Sequence, residues 1–336
     1  MRNAVKSPWV VPALTALVLL MSAVQARATL IRPASGQDPT RVMVLVYIED
    51  VGGINDVEQN FTANVYMEYR WLDKSLAHPG PGTIVKDLTD VWHPRIQIIN
   101  QQHIWKTLPD VVTVFPNGEA IYLQRVLGNF SQPMKLQDFP FDRQVFNVHL
   151  AAVQHSPEQV ELVPSPDITY GIEETLSVAD WKVVGWNAEV LPYKPIPVRG
   201  EIASIRFSFT AQRQIGYFIL KIIIPLVLIV TMSWVVFWID PKEAGIQFSV
   251  SMTSMLTLIA YRFAVGGFLP KISYMTRLDV FILMSTILVF TSLVEVLLTS
   301  TLARADRLEM ARRIDLWARL VFPATFTLLS IYALVI

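Results

Sequence analysis

The sequence contains no cysteine at all. That excludes disulfides, thiolate nucleophiles and every cysteine-ligated zinc site. Only five histidines occur in 336 residues. His93, His103, His149 and His155 are scattered, with no metal-ligand spacing, so no metal site is expected. Charge is also scarce, at 17% of residues against 52% hydrophobic, a balance far from that of an ordinary soluble protein. Lys and Arg together number 28, as do Asp and Glu, so no net basic field points to nucleic acid. A nucleophile elbow and a phosphate loop are missing as well. The sequence therefore calls for no enzyme chemistry and no cofactor.

What is present divides into three stretches. Arg2 and Lys6 precede an apolar run over 9–23 and small residues at Ala26 and Ala28, the pattern of a secretory leader over 1–28. Residues 29–212 would then enter an extracytoplasmic space. Within them, apolar-polar alternation over 42–48, 61–69, 96–100, 120–126, 145–150, 181–190 and 202–210 predicts strands. Turn residues at Gly52-Gly53, Pro79 to Gly82, Pro116-Asn117-Gly118 and 192–200 separate them. Many short strands with regular turn signals predict an immunoglobulin-like β-sandwich.

From Arg213 the pattern becomes apolar runs over 217–239, 246–268, 278–302 and 316–336. Each is of the length, about 20 residues, that a helix needs to cross a bilayer. Arg304, Arg307, Arg312 and Arg313 crowd the link at 303–315, and the positive-inside bias puts that link in the cytoplasm. Four spans then place the sandwich and the C-terminus outside, in agreement with the leader. The expectation is a multi-pass protein of the cell (inner) membrane with both ends periplasmic.

The second span is unusual, because Ser249, Ser251, Thr253, Ser254 and Thr257 put hydroxyls deep in a bilayer. Steps of four and three residues from Ser249 reach Thr253, Leu256, Ala260 and Phe263 on one helical face. Several copies around an axis would line a pore, with hydroxyls to replace ion hydration and rings of Leu256 and Phe263 as dewetting gates. The competing expectation is that these hydroxyls pack helices and bond their own backbone. Glu295 lies deep in the third span, where a carboxylate must pair or be protonated, and Arg262 can snorkel or pair with Asp279.

Six stretches resemble the pentameric ligand-gated ion channels, the Cys-loop receptor superfamily, in a bacterial form without the loop cysteines. They are the strand from Asn64 to Asp73 ending in Trp-x-Asp, Trp92-His93-Pro94 with Asn100, and the signature-loop core from Phe139 to Gln144. Arg213 to Tyr217 with Pro225, Leu269-Pro270-Lys271, and Tyr274 follow in the family's order. Gln132 and Phe146 stand where the two cysteines would be.

The resemblance implies a homopentamer in the lipid bilayer that passes monovalent ions in response to a small-molecule or ion ligand. It implies a coupling surface of Glu58, Phe139, a cis Pro140, Asp142, Arg213, Pro270 and Lys271, with Asp142, Glu58 and Arg213 as an ionic cluster. It implies ligand contacts at Tyr66 and, in the capping loop, Tyr193. Ile99 and Val153 replace the aromatics of amine-binding members, leaving a thin cage for an amine. Carboxylates near the second span, Glu243 among them, lean toward cation selectivity. The rival expectation is a membrane-anchored periplasmic sensor without a pore.

Overall fold

The computed structural model describes residues 30–33, 38–166, 171–196, 200–267 and 272–334. The expected leader over 1–28, together with Pro270 and Lys271, lies outside the described residues.

The extracytoplasmic half is a β-sandwich. One sheet holds β1 (Thr40–Asn55), β2 (Asn60–Leu72), β3 (Ile84–Asp87), β5 (Gln101–Lys106), β6 (Val111–Val114), β7 (Glu119–Ser131), β9 (Val160–Pro164) and β10 (Gly171–Ile172). The other is β11 (Trp181–Val190), β12 (Ser204–Arg213), β8 (Arg143–Ala152) and β4 (Ile96–Ile98), in that order. Alternation sets the inward faces. On β2, Phe61, Ala63, Val65, Met67, Tyr69 and Trp71 are all buried. Phe61 and Phe130 stack at 5.1 Å on one sheet, Phe146 and Phe209 stack at 5.1 Å on the other, and Phe61 meets Phe146 edge-on at 5.3 Å. Such ring pairs are worth about 0.5–1.5 kcal/mol each beyond their burial, and here they bolt sheet to sheet.

Two expectations need correction. Gly52-Gly53 does not end a strand. It lies inside β1, where the pairing with β2 shifts register between Val51 and Gly53, and the turn falls at 56–59. Glycine marks a bulge here rather than a turn. The seven alternating runs also undercount the strands, because β3, β6, β9 and β10 are too short to show a period and β5 is exposed along nearly its whole length. Pro116-Asn117-Gly118 does turn, with Gly118 at φ 86° and its would-be Cβ 2.4 Å from the Asp73 carbonyl oxygen.

Where the resemblance places the loop cysteines, a polar tie replaces a covalent one. Gln132 Oε1 accepts from the Asn147 backbone N–H at 3.1 Å and from Asn147 Nδ2 at 2.9 Å, beside the buried Phe146.

Four helices follow, each long and apolar enough to cross a membrane: α1 (Gly216–Trp238), α2 (Ala244–Gly266), α3 (Arg277–Arg304) and α4 (Leu308–Leu334). Pro225 has no N–H and crowds the preceding turn, and α1 is accordingly π-helical over Ile219–Ile223. The hydroxyl of Tyr261 on α2 donates to the Ile222 carbonyl at 2.6 Å, locking α2 to that irregular turn. α4 starts at Leu308, ahead of the apolar run from 316, so Arg312 and Arg313 ride on its first turns and the link shrinks to residues 305–307. Phe322 and Phe326 seat α4 against Phe237, Trp234 and Phe281.

Candidate gating junction, pore face and ligand face

At the end of β12, Arg213 is almost wholly enclosed, with its side chain 3% exposed. Its Nε donates to Asp142 Oδ1 at 2.8 Å and its Nη2 to Asp142 Oδ2 at 3.2 Å. Nη1 and Nη2 each donate to Asp56 at 2.9 Å. The guanidinium also lies 4.2 Å from the Trp181 ring centre and 4.7 Å from that of Phe139. Burial opposes its charge, but Asp142 and Asp56 more than offset that, and the group titrates above its ordinary value. The ionic cluster therefore exists with one substitution of partner. Its third member is Asp56, and Glu58 instead accepts from Asn60 Nδ2 at 3.3 Å. Both acids occupy one turn, and only the first points inward.

The signature loop reaches the membrane helices directly. Phe139-Pro140 is a cis peptide bond, and Phe139 meets Phe218 of α1 edge-on at 4.9 Å. The Leu136 N–H donates to the Tyr274 hydroxyl at 3.0 Å, and Arg277 Nε donates to Asp138 at 2.8 Å. The N–H groups of Arg277 and Leu278 donate to the carbonyls of Gln137 and Phe139 at 3.0 and 3.3 Å. Sequence reasoning missed Asp138, Leu136 and Arg277. A backbone hydrogen bond leaves no trace in residue type, and Asp138 and Arg277 lie 139 positions apart. Asp279 caps its own helix through Thr276 instead of pairing with Arg262. Both line one cavity of about 260 Å³.

Helix α2 has two faces. Gln247, Ser251, Ser254, Leu258 and Val265 are buried against neighbouring helices, and Gln247 Nε2 donates to the Val236 and Ile239 carbonyls. Ser249, Thr253, Leu256, Ala260 and Phe263 all face outward, with Leu256 64% and Phe263 82% exposed. Ser251 and Ser254 thus belong to packing, while Thr253 and Thr257 stand open and bond the carbonyls of Ser249 and Thr253. Glu243 sits at the N-cap position of α2, exposed, with Lys242 beside it.

On the sandwich, Tyr66 lies half-buried on β2, directly between Tyr47 on β1 and Arg125 on β7. Burial, then Glu68 and Glu49, hold its hydroxyl above the ordinary value. Tyr193 bridges Ile202 across the capping loop, and its ring meets His149 edge-on at 4.9 Å. Within this chain Tyr66 lies on the eight-stranded sheet and Tyr193 outside the named strands, and no contact joins them. His149, which bonds Ser204 Oγ at 3.1 Å, was not singled out from the sequence as a ligand-face residue. Burial, then Arg206, keep its imidazole below its ordinary value.

Residues 19–215 match the family described as the neurotransmitter-gated ion-channel ligand binding domain, and residues 222–310 match the neurotransmitter-gated ion-channel transmembrane region. Similar proteins include the gamma-aminobutyric acid receptor subunit rho-2 of Bos taurus, 27% identical over 79% of this chain and 59% of its own length. The gamma-aminobutyric acid receptor subunit alpha-4 of Rattus norvegicus is 26% identical over 79% of this chain and 50% of its own. The rho-2 subunit of Mus musculus is 26% identical over the same shares as its bovine counterpart, 79% and 59%. The chain spans about half to three-fifths of the length of these relatives. With both matches in order along a β-sandwich and four apolar helices, the chain belongs to the pentameric neurotransmitter-gated (Cys-loop) ion-channel family, a family of channels and not of enzymes, in a form without the loop cysteines.

Proposed function

We propose that the chain is one subunit of a homopentameric ligand-gated ion channel of the cell (inner) membrane. A leader over 1–28 is removed, residues 29–212 sense a ligand on the periplasmic side, and residues 213–336 form the pore. The observation that carries this is the division of α2, whose outward face holds Ser249, Thr253, Leu256, Ala260 and Phe263 while its opposite face is packed and hydrogen-bonded. Five such faces around an axis make a conduit with hydroxyls at its cytoplasmic end and rings of Leu256 and Phe263 that shut it by dewetting.

A small-molecule or ion ligand binds where Tyr66 of one subunit meets Tyr193 of its neighbour. Its preference for one state moves the equilibrium of the pore through Glu58, Phe139, Pro140, Asp142, Arg213, Pro270 and Lys271, with Asp56 joining them. Monovalent cations are the favoured permeant ions. Glu243 supports this, since it places a carboxylate at the mouth of α2 where the helix dipole alone would favour anions.

Recording from purified protein in planar bilayers tests the proposal, with steps in pH, calcium and small amines and reversal potentials in asymmetric salt. Ligand-dependent current is expected. Verified pentamers that pass none under any condition would leave a sensor without a pore.

A further inference from the structure

We propose that the sandwich holds a second ligand site, between its two sheets, that takes a small monocarboxylate with an apolar body. The site is a cavity of about 730 Å³, a size suited to a small organic molecule. Residues of β4 from the four-stranded sheet line it together with residues of β2, β5 and β7 from the eight-stranded sheet. Successive residues of a strand point to opposite faces. On β2 the cavity is lined by Met67 and Tyr69, so Tyr66 points away from it. The cavity is separate from the surface of Tyr66 and Tyr193.

Its floor is apolar, with Met67, Ile98 and Val126 all buried. The Tyr122 ring, stacked on Tyr69 at 5.8 Å, adds a flat wall. The charged side chains that line it are Arg95 and Lys106, and no Asp or Glu does so among the described residues. Lys106 is already matched by Asp110 at 2.8 Å. Arg95 is not matched: its Nη1 donates to the uncharged Gln154 Oε1 at 2.6 Å, and it makes no ion pair among the described residues.

The loop that carries Arg95 is fixed. Its backbone sits at φ 50°, in the left-handed region that residues other than glycine rarely adopt. Its N–H donates to His93 Nδ1 at 3.3 Å, and its carbonyl accepts from the Val153 N–H at 3.3 Å. With Nδ1 accepting, the His93 proton sits on Nε2 and supplies a second donor on the cavity wall. Burial, then Arg95, hold that imidazole below its ordinary value, so it is neutral at pH 7.

These groups select by chemistry. A guanidinium gives a carboxylate two parallel hydrogen bonds. An amine is repelled by Arg95, a bare inorganic anion leaves the apolar floor uncovered, and a neutral molecule leaves the charge unmatched. A ligand held here touches both sheets and stabilises the folded sandwich by mass action.

The test uses the full chain as purified pentamer and reads binding, so it stands apart from whether the pore conducts. Phenylacetate, phenylacetamide and phenethylamine share a ring and differ in the head group. Titration calorimetry should show phenylacetate binding about tenfold or more tighter than phenylacetamide, with no binding of phenethylamine. Arg95 is exposed, so Arg95→Gln keeps the fold, and it should weaken phenylacetate by about the same factor. Phenylacetate should raise the thermal midpoint of the natural protein and leave that of Arg95→Gln in place. Ile104→Trp, which fills the cavity and keeps Arg95, should abolish binding, and Tyr193→Ala should preserve it. The absence of saturable phenylacetate binding, or equal affinity in Arg95→Gln, would overturn the proposal. So would loss of binding in Tyr193→Ala, which would move the carboxylate to the other ligand face.

Discussion

Arg213 is bonded by two carboxylates and covered by two rings, so its substitutions separate charge from shape. Arg213→Gln strands Asp142, which is itself 2% exposed, and should cost about 3–5 kcal/mol in thermal or denaturant unfolding. Arg213→Lys should recover only part of that, because an ammonium cannot fork onto two acids and stack at once. Glu58→Gln should stay within about 0.5 kcal/mol of the natural protein, since Glu58 is outside the cluster. Titration gives a second residue-scale test. Burial, followed by nearby arginines, holds His93, His149 and His155 below the ordinary histidine value. The unfolded chain takes these protons first. Stability from this source is therefore full above about pH 6.5 and is lost as pH falls below it. Unfolding midpoints across that range should show the loss, and His149→Gln should flatten it in part.

At the scale of elements, helix α2 offers a contrast between two leucines two positions apart. Leu258 is fully buried and Leu256 is 64% exposed. Leu258→Ala opens a cavity and should lower stability by roughly 2 kcal/mol, toward the low end for such changes because lipid replaces water as the reference. Leu256→Ser should leave the unfolding midpoint nearly unchanged and raise current in the absence of ligand, as a wetter ring no longer shuts the pore. A Leu256→Ser current indistinguishable from the natural one would count against the gate. The stripe from Ser249 to Phe263 was legible in the sequence because period 3.6 is written in residue type. So were the four spans, by length alone. The short strands β3, β6, β9 and β10 were not, since two to five residues show too little alternation, nor was β5, whose six residues bury no face. Gly52-Gly53 misled for a related reason: glycine marks a bulge and a turn alike, and only the pairing register of β1 with β2 tells them apart. Asp56 was hidden behind Glu58 because charge sign cannot say which acid of a turn faces in.

For the whole molecule the decisive quantity is what passes between sandwich and membrane, and few contacts carry it. The Tyr274 hydroxyl accepts from the Leu136 N–H, Arg277 pairs with Asp138, and the Phe139 ring sits on Phe218. A ligand can move the pore only by the difference in its affinity for the two states, delivered through such contacts. Tyr274→Phe removes one hydrogen bond while keeping the ring. Its net worth of about 0.5–1.5 kcal/mol corresponds to a roughly 2- to 10-fold change in the open-to-shut ratio for each subunit altered. Tyr274 touches the signature loop at Leu136, whereas Tyr193 pairs with Ile202 in the sandwich, so effects on gating and on ligand sensing can be measured apart. Current in the absence of ligand should change in Tyr274→Phe, and ligand binding read by tryptophan fluorescence should shift only as far as that altered open-to-shut ratio requires. If binding shifts while current in the absence of ligand does not, the bond belongs to ligand recognition. If neither shifts, coupling runs through Phe139 and Arg213 alone, and Phe139→Leu becomes the variant that must fail to gate.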